Sequence, residues 1–349
     1  MSFLDSRLNF TGDYFIRDTE GMLGKSIVLP SVFGAKEPKE NCTNLRTKGW
    51  ELSLGWNDSF ALMGKRFNYT VSATLGDNLT EITKYNNSEK KLTDYYEGMK
   101  LGEIWGYRVD GLFASDEEAA EYTSKINQDF VNARILSDKV EPYYRAGDLK
   151  FRDLDGDNII SKGDDTAYDA GDREIIGNET PRYMYSFRLG ADWNGIDLGI
   201  FFQGVGKRDW YPNYLSTGFW GPYSRAFTSF IPENFMDQCW SEENPGGYFP
   251  RFRGYQTFKD SQLGVNNDRY LQDASYIRLK NLTVGYTLPV LKKVFTKLRV
   301  YFTGENLWYW SPMKKYTKYI DPEAAGGNGN TGMAYNYSRN FSVGVDITF

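Results

Sequence analysis

The chain has 349 residues, a formal net charge of −5 and no histidine. The missing imidazole excludes a Ser-His-Asp triad, a Cys-His pair and a histidine-based zinc site, and the acidic balance, without a basic run, leaves no phosphate-tracking surface for nucleic acid. Mean hydropathy is −0.57, and no stretch approaches the ~20 consecutive apolar residues of a membrane-crossing helix, a test that a β-barrel escapes because only alternate strand residues need meet lipid.

Aromatic residues are 17% of the chain, with 35 Gly, and the composition favours one large β architecture. The first fifteen residues, MSFLDSRLNFTGDYF, have no charged n-region followed by an apolar core. For a secreted barrel, the simplest reading is the C-terminal portion of a longer exported protein.

Period-two alternation marks eight candidate membrane strands. The first, about 7 to 17, puts Leu8, Phe10, Tyr14 and Ile16 on one face, and the second sets Trp50, Leu52, Leu54 and Trp56 against Glu51, Ser53 and Gly55. Aromatics bounding an aliphatic stripe are the pattern of an interfacial girdle. The third runs about 66 to 76. Segments four (183–193) and five (196–202) flank Asn194-Gly195, the strongest two-residue hairpin signal. Segment six, 275 to 288, changes phase between Leu279 and Leu282, which predicts a bulge near Lys280 and Asn281. Segment seven is 297 to 309. The eighth, FSVGVDITF, places two Phe, two Val and Ile on one face and ends on Phe349.

Links between segments alternate short and long, the asymmetry of outer-membrane barrels with long loops facing outward. The connection 77–181 contains a helix near 115–127, with Ser115 as N-cap and Glu117, Glu118 and Glu121 favouring its start. Within the same connection, Asp153 to Asp164 reads DLDGDNIISKGD. Asp153, Asp155, Asp157 and Asp164 stand at positions 1, 3, 5 and 12 of a calcium loop, the Ile159 carbonyl at 7 and Ser161 at 9, a spacing that supplies hard oxygens to one ion. Asn158 takes the position usually held by Gly, and the segment resembles dockerin-like loops. The expectation is a structural Ca2+ pinning the loop; the alternative is an Asp-rich solvated turn.

The connection 207–270 carries Trp210, Tyr211, Tyr214, Trp220 and Tyr223, which either contact a substrate or partner or pack the loop's own small core. Cys42 and Cys239 have no metal-ligand spacing and read as two inert surface or loop thiols, the alternative being a bridge between them. No carboxylate spacing singles out a catalytic pair, so the chain reads as a non-enzyme.

The ordered stretches LRTKGWELSLGW (45–56), GEIWGYRVDGLF (102–113), GDLKFRDLDGDNIIS (147–161), the run 174–211, SYIRLKNLTVGYTLP (275–289), LRVYFTGENL (298–307) and the closing strand resemble the SusC/RagA family of TonB-linked outer-membrane proteins. That resemblance implies an all-β fold: about eight antiparallel transmembrane strands of residues 1–349, part of a 22-stranded barrel with long extracellular loops. It also implies nutrient uptake (oligosaccharide or peptide) across the Gram-negative outer membrane. The implied partners are a SusD-like lipoprotein, lipid, and the TonB complex through an N-terminal part lacking here. The competing reading is a soluble or surface calcium-dependent glycan-binding β module.

Overall fold

The structure, a computed structural model, describes residues 2–25, 34, 38–132, 144–224, 231, 233–253, 262–289, 296–326 and 336–349. Eight long strands form one sheet in chain order: β1 Leu8–Lys25, β2 Lys39–Leu62, β3 Lys65–Lys84, β4 Arg182–Trp193, β5 Ile196–Lys207, β6 Tyr276–Leu288, β7 Lys297–Trp310 and β8 Asn340–Thr348. All neighbours are antiparallel, and the two-residue strand Ser2–Phe3 extends the edge beside β1. Among the described residues the sheet is open, with β8 at the other edge.

Each expected segment is a strand, and four are clearly longer than expected, β5 running on to Lys207 and β1 to β3 extending further still. The alternation expected over 7–17, 50–56 and 66–76 covers only part of β1, β2 and β3, because beyond Ile16 and Trp50 the same face turns polar. There Arg46 donates to both Asp18 carboxylate oxygens, at 2.7 and 3.1 Å. Backbone pairing continues where the hydrophobic pattern has stopped.

Two hairpins are set by their turns. Asn194 and Gly195 both have positive φ (53° and 87°), and so do Met63 and Gly64 (51° and 74°), the backbone of a two-residue turn whose twist matches that of the strands. Asn-Gly advertises this turn; Met-Gly does so only through its glycine. The expected bulge is present: pairing of β6 with β5 passes from Leu279 to Asn281 against the consecutive residues Phe202 and Phe201 and leaves Lys280 unopposed.

Register carries one apolar face across the whole sheet. One row runs Phe10, Leu54, Ala73, Phe187, Phe202, Leu279 and Trp308, and a parallel one ends Tyr286, Val300, Val345. Nothing described covers these side chains: Leu54 is 48% exposed and Val343 77%. A face eight strands wide, at ~4.8 Å per strand and ~3.3 Å per residue, extends over roughly a thousand Å², beyond the few hundred Å² that soluble monomers leave bare.

The buried core lies elsewhere. It is built from the connections between β3 and β4, β5 and β6, and β7 and β8, which fold together into a cap around Phe151, Trp220, Phe249, Tyr270 and Met313. Rings meet edge-to-face, as Phe219 and Trp220 do at 4.6 Å, or stack, as Tyr248 and Tyr316 do at 3.5 Å. Buried ions tie the connections together. Asp148, fully buried, accepts from Arg253 at 2.9 and 2.7 Å and from Gln262 at 3.1 Å. Arg278 of β6, 1% exposed, pairs with Asp321 and lies 3.1 Å from Glu323.

Candidate functional site

Two regions carry the chemistry: the acidic turn in the cap and the polar face of the sheet. The cap helix spans Asp116–Thr123, with the Ser115 hydroxyl accepting from the Glu118 N–H at 3.2 Å and Glu118 accepting in turn from the Ala114 N–H at 2.7 Å. It stops short of the expected 127. Thr123 and Ser124 hydroxyls donate to the Ala119 and Glu121 carbonyls at 2.8 and 2.7 Å, competing with the helical ladder, and the Asn127 segment then bridges to Ile159.

Within the acidic turn, successive carboxylates fold the backbone on itself. Asp153 accepts from the Gly156 and Asn158 N–H groups at 2.7 and 2.9 Å, Asp155 from Asp157 at 3.1 Å and Asp157 from Ile159 at 2.6 Å. Asn158 adopts the left-handed conformation, φ 66°, which asparagine tolerates better than most residues. Ile159 is exposed, and its neighbour Ile160 is fully buried in the cap core.

The carboxylates that converge are those of Asp153, Asp155 and Asp172, with one oxygen of each within 4.8 Å of the others. Asp157 and Asp164 lie outside this trio, a departure from the expected ligand set. The backbone N–H of Asp164 instead donates to Asp169 at 3.3 Å. The added member, Asp172, accepts from the Leu154 and Ser161 N–H groups, both at 2.7 Å, and so spans the turn from inside. Burial pushes its carboxyl above the usual range against those two hydrogen bonds, and the charges of Asp155 and Asp153 push it the same way. Three hard oxygen donors gathered on one side of a turn fit a calcium ion's chemistry.

The aromatic residues of the 207–270 connection resolve mainly into core. Trp210 is 1% exposed, and Trp220 and Tyr223 are fully buried. The Trp220 indole N–H donates to the Pro212 carbonyl at 3.1 Å and the Tyr223 hydroxyl to the Pro250 carbonyl at 2.6 Å. The expectation of substrate or partner contact is therefore corrected for these three: their rings hold the cap together, because aromatic area is what an irregular loop has available to bury. Tyr211 packs against the same core and lines a crevice of about 440 Å³ with Tyr96, Glu103, Trp105 and Arg173. Tyr214 is 58% exposed. Cys239 is buried and its thiol is pushed up by burial, while Cys42 is half-buried; no disulfide joins them.

On the sheet's other face, cross-strand pairs are polar. Thr74 and Ser186 hydroxyls meet at 2.7 Å, and the Asn68 amide donates to Asp192 at 2.8 Å. Arg299 of β7 donates to Asp346 of β8 at 2.9 Å and reaches across β6 to Asp197 of β5 at 2.8 and 2.6 Å. Gly285 leaves the path open; a Cβ there would lie 2.4 Å from the Asp197 carboxylate.

No protein-family model matches the chain. Over its whole length it is similar to TonB-dependent receptors: 25% identical over 367 residues to P26 of Formosa agariphila, covering 100% of this chain and 33% of that protein. It is 26% identical over 378 residues to P3 of the same organism, with 100% and 33% covered. SusC of Bacteroides thetaiotaomicron is 24% identical over 360 residues, covering 99% and 31%. Among solved structures, the RagAB peptide transporter superposes with a TM-score of 0.66 at 22% identity, over 99% of this chain and 34% of that one. The RagAB peptide importer in its closed-closed state gives 0.67, also at 22% identity, over 100% and 34%. The chain spans about a third of the length of the proteins it matches. Across that span its sequence is similar to TonB-dependent receptors, SusC among them, and its fold is that of the matching third of the RagAB structures.

Proposed function

We propose that the chain is the C-terminal part of an outer-membrane nutrient importer of the TonB-dependent, SusC-like kind, contributing wall strands and the outward cap. The observation that carries this is the apolar face, continuous from β1 to β8 and left uncovered by the described residues, opposite a polar face suited to water. On this reading the apolar face meets lipid, a SusD-like lipoprotein docks over the cap, the TonB complex acts through a part preceding these residues, and oligosaccharide or peptide passes along the polar face. Fractionation of cells expressing the longer protein tests it: the account expects recovery in the outer membrane and uptake that stops when TonB is deleted. A chain that stays soluble without detergent would overturn it, in favour of the glycan-binding module.

Calcium belongs to the same proposal. Asp153, Asp155 and Asp172 would hold it, and its charge would relieve the repulsion among three carboxylates. The role is structural, closing the turn that anchors Ile160 in the cap. Titration calorimetry should detect binding that Asp155→Ala weakens; no heat at millimolar calcium removes the ion from the account.

A further inference from the structure

We propose that Arg188, Phe201 and Asn281 form a binding site for a carboxylate on the polar face of the sheet. The three are register partners in one row across β4, β5 and β6, and they line a cavity of about 280 Å³. Arg188 is exposed, and its guanidinium lies over the Phe201 ring at 5.2 Å from the centroid. Stacking fixes the plane of the fork while leaving its outer N–H groups free to donate.

Charge distinguishes this arginine from its neighbours. Within β4 to β7, Arg182 pairs with Asp77, Arg278 with Asp321 and Arg299 with Asp197 and Asp346. Arg188 has no carboxylate partner among the described residues. Asn281 adds amide N–H donors: its oxygen already accepts from the Thr283 hydroxyl at 3.1 Å. The nearest acid in the row, Glu305 on β7, accepts from Asn340 at 3.2 Å. Donors without an acceptor, around a planar fork, match a carboxylate held by two parallel hydrogen bonds.

Space for that group comes from the next row, where Gly190 faces Gly199. A Cβ on Gly190 would meet the Thr70 hydroxyl at 2.7 Å, whereas one on Gly199 would meet nothing within 4 Å. Gly199 can therefore be enlarged without forcing the sheet apart, and what it fills is the cavity.

The site deepens the importer reading by naming a ligand chemistry, a peptide's carboxyl end or a sugar acid. Its test reads binding and not transport, so its failure would leave that reading standing. Calorimetry on the full 349-residue chain in detergent would compare N-acetyl-alanyl-alanine with its carboxamide, and glucuronate with glucose. At least one acid should bind saturably and its neutral counterpart should not; which acid binds identifies the source. Arg188→Gln should weaken binding about tenfold or more, Gly199→Val should weaken it with Arg188 intact, and Arg66→Gln on β3 should leave it unchanged. Equal binding of acid and neutral probe, no binding of either acid up to about 10 mM, or undiminished binding in Arg188→Gln or Gly199→Val would overturn the proposal.

Discussion

The sheet and the cap of this chain solve opposite problems with the same residues. In the sheet, Phe, Leu, Val and Trp stand on one face with none of the described residues packed over them; in the cap, Phe, Trp and Tyr vanish into a core. What differs is backbone regularity. A strand satisfies its polar groups with its neighbours, so its side chains can face hydrocarbon, whereas a long loop must bury rings to recover the entropy of ordering.

The comparison can be broken hardest in the cap. Trp220→Ala removes a fully buried indole and should cost about 3–5 kcal/mol, releasing the cap to protease while the strands keep their far-ultraviolet signal. Asp148→Ala, which removes the buried carboxylate that accepts from Arg253 and Gln262, should fall in the same ~3–5 kcal/mol range; a cap as protease-resistant as wild type would contradict the core described. On the sheet, Leu54→Arg should cost about 2–4 kcal/mol in bilayers, as a charge placed on a lipid face does. Ser53→Arg, one residue away on the polar face, should stay within about 0.5 kcal/mol. Equal effects at the two positions would mean the faces are not differently solvated. Gly195→Val should cost about 1–2 kcal/mol through its left-handed backbone, with a Cβ that would lie 2.8 Å from the Thr287 carbonyl, and its chevron would show whether that hairpin forms early.

The smallest effect is chemical. Burial keeps the Cys239 thiol protonated above the ordinary thiol range, so iodoacetamide near pH 8 should modify Cys42 first and reach Cys239 only after the cap opens. Equal labelling rates would place Cys239 outside the core.

The strands were legible because alternation is local. Trp50 to Trp56 and Phe341 to Phe349 each state their face within nine residues or fewer, and the bulge at Lys280 shows as a change of phase. Strand ends were not legible, since the Asp18–Arg46 pair that continues β1 and β2 has no hydrophobic pattern. Nor was the cap's packing: Asp148 and Arg253 meet across 105 residues, and the burial of Trp220 depends on rings from other connections. In the acidic turn, local spacing pointed to Asp164, while the backbone N–H groups of Leu154 and Ser161 hold Asp172 beside Asp153 and Asp155. The signal available was its own position, eight residues past the motif and before the strand at Arg173–Asn178.

The central claim is that the apolar face is solvated by lipid. Nitroxides placed singly along β2 from Trp50 to Phe60, in the chain reconstituted in bilayers, would report it through collision rates with oxygen and with a water-soluble nickel complex. The account predicts oxygen access peaking at even-numbered positions and nickel access at odd ones, with a period of two. Even-numbered positions shielded from both reagents would mean that protein, not lipid, covers this face.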